Sequence, residues 1–487
     1  MEKRARGFFF RTAIATYYYD DCSGVCFPCT PGLETSIETA TTMTADRFAA
    51  RENKTRWDDF IITRHQAYGA FFGDSLEDRR HAPISAAEME DSVMDHGLQQ
   101  LLLVVTDQCN LRCRYCVYSE HYPFAKEDPN GRMSFDTARK AVDSYFAALT
   151  RKKEQGGSER ATINFYGGEP LMNFALIEQV VAYIAEHHPG ETRFQVTTNG
   201  TMLTPEIADF LVRHRFLICI SLDGPEEQHD RRRPLANQQG SFQRVLDNIE
   251  SLWERHGAAA TVAFLVTYDY STDVHTLKEF FQSREELRKG MVLFNRVKSN
   301  FSTYFEQFDD SVRTRFNDSI KELRKTLDEE DPVTRSLLRT PFIMLLLRRM
   351  VMPLRTDMVA ASSTCLPGHK ICVHTDGSLE TCERVHGMKI GDVEQGLDFP
   401  RIAGMMMEYN KKVLEKCSAC PIQRMCSYCF AQFWDGKNFI SSEQTTCEAL
   451  VVGKKALLEQ SFSLFEERPD LHKAWIAPLS RKRFSNA

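Results

Sequence analysis

Two stretches of this chain carry cysteines at the same spacing, C-x3-C-x2-C: "CSGVCFPC" holds Cys22, Cys26 and Cys29, and "CNLRCRYC" holds Cys109, Cys113 and Cys116. Three thiolates on a four-iron cluster leave one iron without a protein ligand, and a metal site that is to bind and transform something needs such an open position. Eight further cysteines fall within residues 365–447. They are Cys365, Cys372, Cys382, Cys417, Cys420, Cys426, Cys429 and Cys447, enough for two sites with four thiolates each. By count alone, two zinc ions suit them as well as two iron-sulfur clusters. The total of fifteen is odd, so the thiols cannot all pair internally. In a reducing compartment, spaced cysteines are more often metal ligands than disulfides.

What surrounds each triad separates them. The second follows "LLLVVTDQ" directly, so its loop begins at the end of an apolar strand. Five more strand-like runs follow: "ATINFYG", "RFQVTTNG", "FLICISLDG", "TVAFLVT" and "GMVLFNRV". Helical segments start between them near Ser134, Phe174, Thr204, Ser241 and Asp273, several with a residue suited to cap the first turn. Strands alternating with helices predict a parallel α/β sheet, either open and doubly wound or a whole or partial barrel. In both, ligands sit at the carboxyl ends of the strands. The first triad instead straddles a predicted hairpin turn at Ser23-Gly24. Pro28 stands where Tyr115 stands in the second, and no strand-ending glycine motif follows. Its cysteines read as structural thiols, because a zinc knuckle there lacks an evident fourth ligand.

With 487 residues the chain exceeds one ordinary core. Residues 1–95 predict a small aromatic strand hairpin with a helix near Leu33–Ala40, and residues 96–300 the α/β unit. A charged helical bridge over 301–360, a cysteine-rich domain over 361–455, and a helix with a basic tail over 456–487 complete the division. The net charge of −6 argues against a general nucleic-acid partner. The most apolar run, "PFIMLLLRRMVMPL", is broken by Arg348 and Arg349 and predicts a buried helix rather than a membrane span. No signal peptide is evident, so the expected location is the cytoplasm. Cys219 alternates with apolar neighbours and reads as a core thiol. Arg231 to Arg233 reads as a solvated face.

"CNLRCRYC" with an aromatic before its last cysteine, then "YGGEP", "TTNGT" and "SLDGP" in order over about 125 residues, resembles the radical S-adenosylmethionine (radical SAM) superfamily. The resemblance implies a partial (β/α)6 TIM-like barrel with a small N-terminal α+β element and a C-terminal cysteine-rich iron-sulfur domain. It implies a 4Fe-4S cluster on Cys109, Cys113 and Cys116, whose open iron chelates S-adenosylmethionine, and reductive cleavage to methionine and a 5'-deoxyadenosyl radical. Tyr115 would lie beside the ligand. Gly167, Gly168 and Glu169 would meet its methionyl amino group, Thr198 and Asn199 would lie near it, and Ser221 with Asp223 would face its ribose or carboxylate. Arg233 is a further candidate for the carboxylate. Tyr166 departs from the glutamine that some relatives carry.

The pattern C-x11-G-x4-C, C-x2-C-x5-C-x2-C, C is similar to the SPASM extension of radical SAM enzymes that modify peptides. That layout implies an inner auxiliary 4Fe-4S cluster on Cys365, Cys372, Cys382 and Cys429, and an outer one on Cys417, Cys420, Cys426 and Cys447, three clusters in all. The gap before the seventh cysteine is x2 where x3 is usual, and related enzymes sometimes leave an inner iron open, which bears on Cys372. "TCERV" resembles a segment of peptide maturases, and the N-terminal hairpin is similar to their leader-recognition element. The expected activity is therefore modification of a ribosomally made precursor peptide with a leader, thioether formation leading among crosslinks, fed by flavodoxin or ferredoxin. The alternatives are a sulfatase-maturase-like oxidase forming formylglycine and a non-catalytic, zinc-stabilised peptide-binding module, which would be colourless.

Overall fold

The structure, a computed structural model, describes residues 4–73, 83–122, 130–157, 160–297, 302–325, 331–334, 336–337, 366–385, 387–417, 420–440 and 444–475. Cys365, the "PFIMLLLRRMVMPL" run, most of the 301–360 bridge and the "SRKRF" tail lie outside them.

Six apolar runs form the strands β1 (Gln100–Thr106), β2 (Ala161–Gly167), β3 (Thr192–Thr198), β4 (Leu217–Ser221), β5 (Thr261–Tyr268) and β6 (Met291–Arg296). They pair in sequence order, each parallel to the next. A doubly wound sheet reverses its strand order at a switch point, whereas this order runs one way, as in a partial barrel. Alternation along β1 sets its two faces. Leu101, Leu103 and Val105 enter the core shared with the covering helices, while Leu102 and Val104 face the opposite side with Tyr166.

The helix starts follow local chemistry. Ser134, Thr204 and Asp273 each accept a backbone N–H from the first turn of the helix they precede. Ser241 does not cap. Its hydroxyl instead donates to the carbonyl of Arg233 at 2.6 Å, and Asp230 accepts the N–H groups of Ser241 and Phe242 in its place.

The cysteine-rich segment is not a separate layer. Its first strand β7 (Lys370–Val373) pairs in parallel with β1, and β8 (Ser378–Glu380), β9 (Lys389–Asp392) and β10 (Gly396–Leu397) follow antiparallel, making one ten-stranded sheet. At the other end of the chain, Gly7–Arg11, Thr16–Asp20 and Val25–Cys29 form a three-stranded antiparallel sheet. The predicted helix spans Pro31–Thr41, and a capped helix, Arg56–Tyr68, packs beside it. Tyr18 packs towards these helices. Phe10 and Tyr19, on the other face, pack against Ile422, Met425 and Leu458. The long helix Gln444–Glu467 carries Leu458 and begins before the region where the sequence placed it. Among the described residues, no helix is long and apolar enough to cross a membrane.

Candidate functional site

The second triad lies in a loop leaving the carboxyl end of β1, and three segments hold that loop in place. The first is the end of β2. Gly168 and Glu169 donate their N–H groups to the carbonyls of Thr106 (2.9 Å) and Gln108 (2.8 Å), the residues leading into Cys109. A Cβ at Gly168 would collide with the carbonyl oxygens of Asp107 and Gln108, and Gly167 takes φ of 152° against Thr106, so both positions need glycine. The second is the "TTNGT" turn after β3. Asn199 donates to Asn110 Oδ1 and Asn110 donates to Thr201 Oγ1, both at 2.8 Å. The third is the "RRRPLA" segment: Arg112 and Arg114 donate their N–H groups to the carbonyls of Pro234 (2.8 Å) and Arg232 (2.9 Å).

Glu169 is fully buried and its carboxylate is occupied within the protein. Oε1 accepts from Thr198 Oγ1 (2.7 Å) and the Leu171 N–H (3.1 Å), and Oε2 accepts from the Asn199 N–H (2.7 Å). Burial raises its pKa and those three donors oppose the rise. Glu169 therefore shapes the turn carrying Thr198 and Asn199. Asp223 is similarly enclosed: Oδ1 accepts from the Thr267 N–H at 2.9 Å and Oδ2 from the Tyr115 hydroxyl at 2.6 Å. Ser221, at the end of β4, is partly buried beside it.

The arginine run is not a solvated face. Only Arg231 is exposed, while Arg232 is 1% and Arg233 7% exposed. Arg232 donates to Thr272 Oγ1 (2.7 Å) and to the carbonyls of Asp223 (2.9 Å) and Gln228 (3.2 Å), with Asp269 at 3.6 Å. Tyr304 donates to Asp269 at 2.6 Å, closing that network. A buried guanidinium demands partners, and the strand-end carbonyl and carboxylates supply them. Arg233 bonds the Tyr115 hydroxyl, but its buried Nε has no hydrogen-bond partner. His229 ties these groups together: its Nδ1 accepts the Asp223 N–H at 3.3 Å, and its Nε2 lies 3.1 Å from Ser241 Oγ. The sequence alone does not single out Asn110, Thr201 or His229, and it assigns Arg232 to solvent.

The three triad thiols are electrostatically coupled to one another, and burial pushes Cys109 and Cys113 up to about 11 and raises Cys116 as well. Such thiols stay protonated unless a cation draws the proton off, which a ligated iron does outright. Arg233 is the cation facing Cys113, and its orphaned Nε–H is a donor lacking an acceptor. This donor set fits an iron cluster with an anionic ligand beside it. Among the described residues, no three His, Cys, Asp or Glu side chains are grouped for a single metal ion.

The first triad cannot share one cluster. Cys26 and Cys29 are three apart on the strand Val25–Cys29, so they point to opposite faces. Cys29 packs with the helices, and Cys26 packs with Tyr19, Cys420 and Ile422. Cys22 is buried with its thiol 3.7 Å from the carbonyl of Phe71. Cys219 is buried on β4, accepting from Gln195 Nε2 at 3.4 Å.

In the cysteine-rich segment, Cys372 on β7 shares a buried cluster with Leu102, Val104 and Tyr166, on the side of the sheet away from the helices. Cys382 follows β8 with its thiol 3.3 Å from Glu383 Oε2, and Lys370 Nζ lies 3.0 Å from that carboxylate. Tyr118, two residues beyond Cys116, donates to the carbonyl of Glu383 at 2.9 Å, so the two cysteine regions are hydrogen-bonded together. Cys429 donates its N–H to Gln432 Oε1. Cys417 ends a helix, Cys420 and Cys426 flank the turn Gln423–Met425, and Cys447 lies in the first turn of Gln444–Glu467. Cys420, Cys426 and Cys447 interact electrostatically, and Tyr409 lies within range of Cys417 and Cys426.

The barrel strands and this loop define the class. Residues 103–281 match the family model described as Radical SAM superfamily. It is 27% identical over 192 residues to the cysteine-type anaerobic sulfatase-maturating enzyme of Clostridium novyi, covering 39% of this chain and 49% of that protein. It is 29% identical over 208 residues to the radical SAM cyclopropyl synthase TigE of Paramaledivibacter caminithermalis, covering 40% and 41%. The chain thus spans half or less of the length of these curated relatives. Its fold is similar to that of anSMEcpe solved with bound AdoMet, with a TM-score of 0.58 at 18% identity over 78% of this chain and 97% of that one.

Proposed function

We propose that this protein is a radical SAM peptide maturase with a SPASM domain over residues 361–455 and a leader-recognition element within residues 1–95. It binds a 4Fe-4S cluster on Cys109, Cys113 and Cys116, and two auxiliary clusters on the inner and outer sets named above. When bound, the triad cluster supplies the electron that cleaves S-adenosylmethionine and so starts hydrogen abstraction from the peptide; flavodoxin or ferredoxin delivers it.

The chain's own residues do the positioning. Gly168 and Glu169 hold the triad loop by backbone hydrogen bonds, and Glu169 fixes the Thr198-Asn199 turn beside it. Arg233 offers its unpaired Nε–H to the ligand carboxylate next to Cys113, while Tyr115 and Asp223 hold that guanidinium in place. The observation carrying the reading is the pairing of β7 with β1, which brings Cys372 to the barrel side beside Tyr166. Tyr118, just past the triad, is hydrogen-bonded to the carbonyl of Glu383 beside Cys382, which supports an auxiliary centre close to the radical source. The intended product is an intramolecular crosslink, with thioether formation favoured.

The similarity to sulfatase-maturating enzymes favours a second reading, oxidation of a peptide Cys or Ser to formylglycine. One anaerobic incubation with reductant, S-adenosylmethionine and the precursor peptide encoded beside this gene separates the two. Crosslinking yields 5'-deoxyadenosine and a peptide lighter by two hydrogens that ignores carbonyl reagents. Formylglycine formation yields a peptide that reacts with hydrazide. No 5'-deoxyadenosine would refute both.

A further inference from the structure

The turn between Cys420 and Cys426 is built by a residue four hundred positions away. Gln423–Met425 is a short 3-10 turn whose preceding residue, Ile422, has no side chain able to cap it. Asp21 takes that role. Its Oδ2 accepts the Gln423 N–H at 3.1 Å and its Oδ1 the Arg424 N–H at 3.0 Å, so one carboxylate holds the first two N–H groups of the turn. The grip is mutual. Arg424 reaches back to donate through Nε to the carbonyl of Asp21 (2.8 Å) and through a terminal nitrogen to that of Cys22 (2.7 Å).

Asp21 is itself fixed. It is fully buried, and Tyr19 donates its hydroxyl to Oδ1 at 2.8 Å. Around this polar contact the sheet face closes with apolar side chains: Phe10 and Tyr19 pack with Ile422, Met425 and Leu458, and Phe462 meets Phe10 and Tyr17 edge-on. Tyr17 adds a hydrogen bond to Glu466 at 2.7 Å. A buried carboxylate is costly unless paired, and here its partners are the backbone of the segment that carries two candidate ligands.

We propose that Asp21 is a positioning residue for the outer cysteine set, and that the N-terminal sheet is a structural wall of that site. The inference rests on the reading that Cys417, Cys420, Cys426 and Cys447 hold a cluster. It follows that the element proposed to take the leader is joined rigidly to an auxiliary centre, so a leader cannot move one without loading the other.

The test compares wild type with Asp21→Ala, Asp21→Asn and Cys426→Ser, reconstituted anaerobically. Three four-iron clusters give roughly twelve irons per chain. Asp21→Ala is expected to lose about a third of the iron, as Cys426→Ser does, together with the same component of the reduced-cluster electron paramagnetic resonance (EPR) spectrum. Asp21→Asn, which keeps an acceptor oxygen, retains part of that component. In all three, the spectral change of the triad cluster on adding S-adenosylmethionine persists, which separates a local effect from general unfolding. Full iron and an unaltered spectrum in Asp21→Ala overturn the positioning role. Iron for fewer clusters in wild type, with Cys426→Ser indistinguishable from it, overturns the outer-cluster reading beneath it.

Discussion

Two loops with the same cysteine arithmetic end in different structures. In the triad at Cys109, a loop follows the end of a strand, and nothing forces the thiols apart. In the triad at Cys22, two cysteines belong to one strand, whose pleat sends Cys26 and Cys29 to opposite faces. The first arrangement lets three sulfurs couple and the second divides them between two cores. Spacing has chemical meaning only after the local backbone period is known. A separation of three residues is permissive in a loop and prohibitive along a strand. The surroundings agree with that division: β2, the turn after β3 and the arginine segment after β4 all donate to or accept from the second loop, whereas burial by neighbouring side chains raises Cys22 and Cys29 to about 12.

The comparison breaks most sharply under cysteine replacement. Changing Cys109, Cys113 and Cys116 to Ala should abolish 5'-deoxyadenosine formation, measured by chromatography under reductant, while the same change at Cys22, Cys26 and Cys29 leaves it in place. Equal loss in both variants would mean that the strand parity has been misjudged. A smaller effect is expected from Gly168→Ala. The added methyl pushes against the backbone of Asp107 and Gln108, which cannot yield as a side chain would, so the triad loop shifts. A displacement of this size costs about 100-fold in rate, read as S-adenosylmethionine cleavage at saturating cofactor. Alanine at Gly404, which meets nothing within 4 Å, is the control.

The gentlest probe is pH. Burial first, then Arg233 and Arg232, holds His229 well below the usual histidine range. The unfolded chain therefore takes up this proton at a higher pH than the folded one. The stability involved is fully present above about pH 6.5 and is lost as pH falls from there towards the folded value, at most about 1.4 kcal/mol per pH unit. Denaturant melts between pH 7 and 5 should show that slope, and His229→Gln should flatten it. An unchanged slope in the variant would remove His229 from the account.

Much of the barrel was legible because its signals are local. Six apolar runs, helix starts at Ser134, Thr204 and Asp273, and glycine-bearing strand ends each announce themselves within a few residues. The same reading failed at Arg232 and Arg233, where charge suggested solvent and the fold supplied buried partners from Asp223, Thr272 and Tyr115. It also passed over Asn110, although that residue lies inside the triad, because its partners Asn199 and Thr201 come about ninety positions later.

By itself the sequence determined the order of strands and helices and that the second cysteine triad follows the first barrel strand in a loop, since hydrophobic period, capping and turn chemistry act over one or two turns of chain. Only the tertiary structure decided that β7 lies on β1 and that Asp21 caps the turn before Cys426. Such pairings join segments hundreds of residues apart. Each is selected by the burial and hydrogen bonding available once the rest has folded, and no local pattern encodes that.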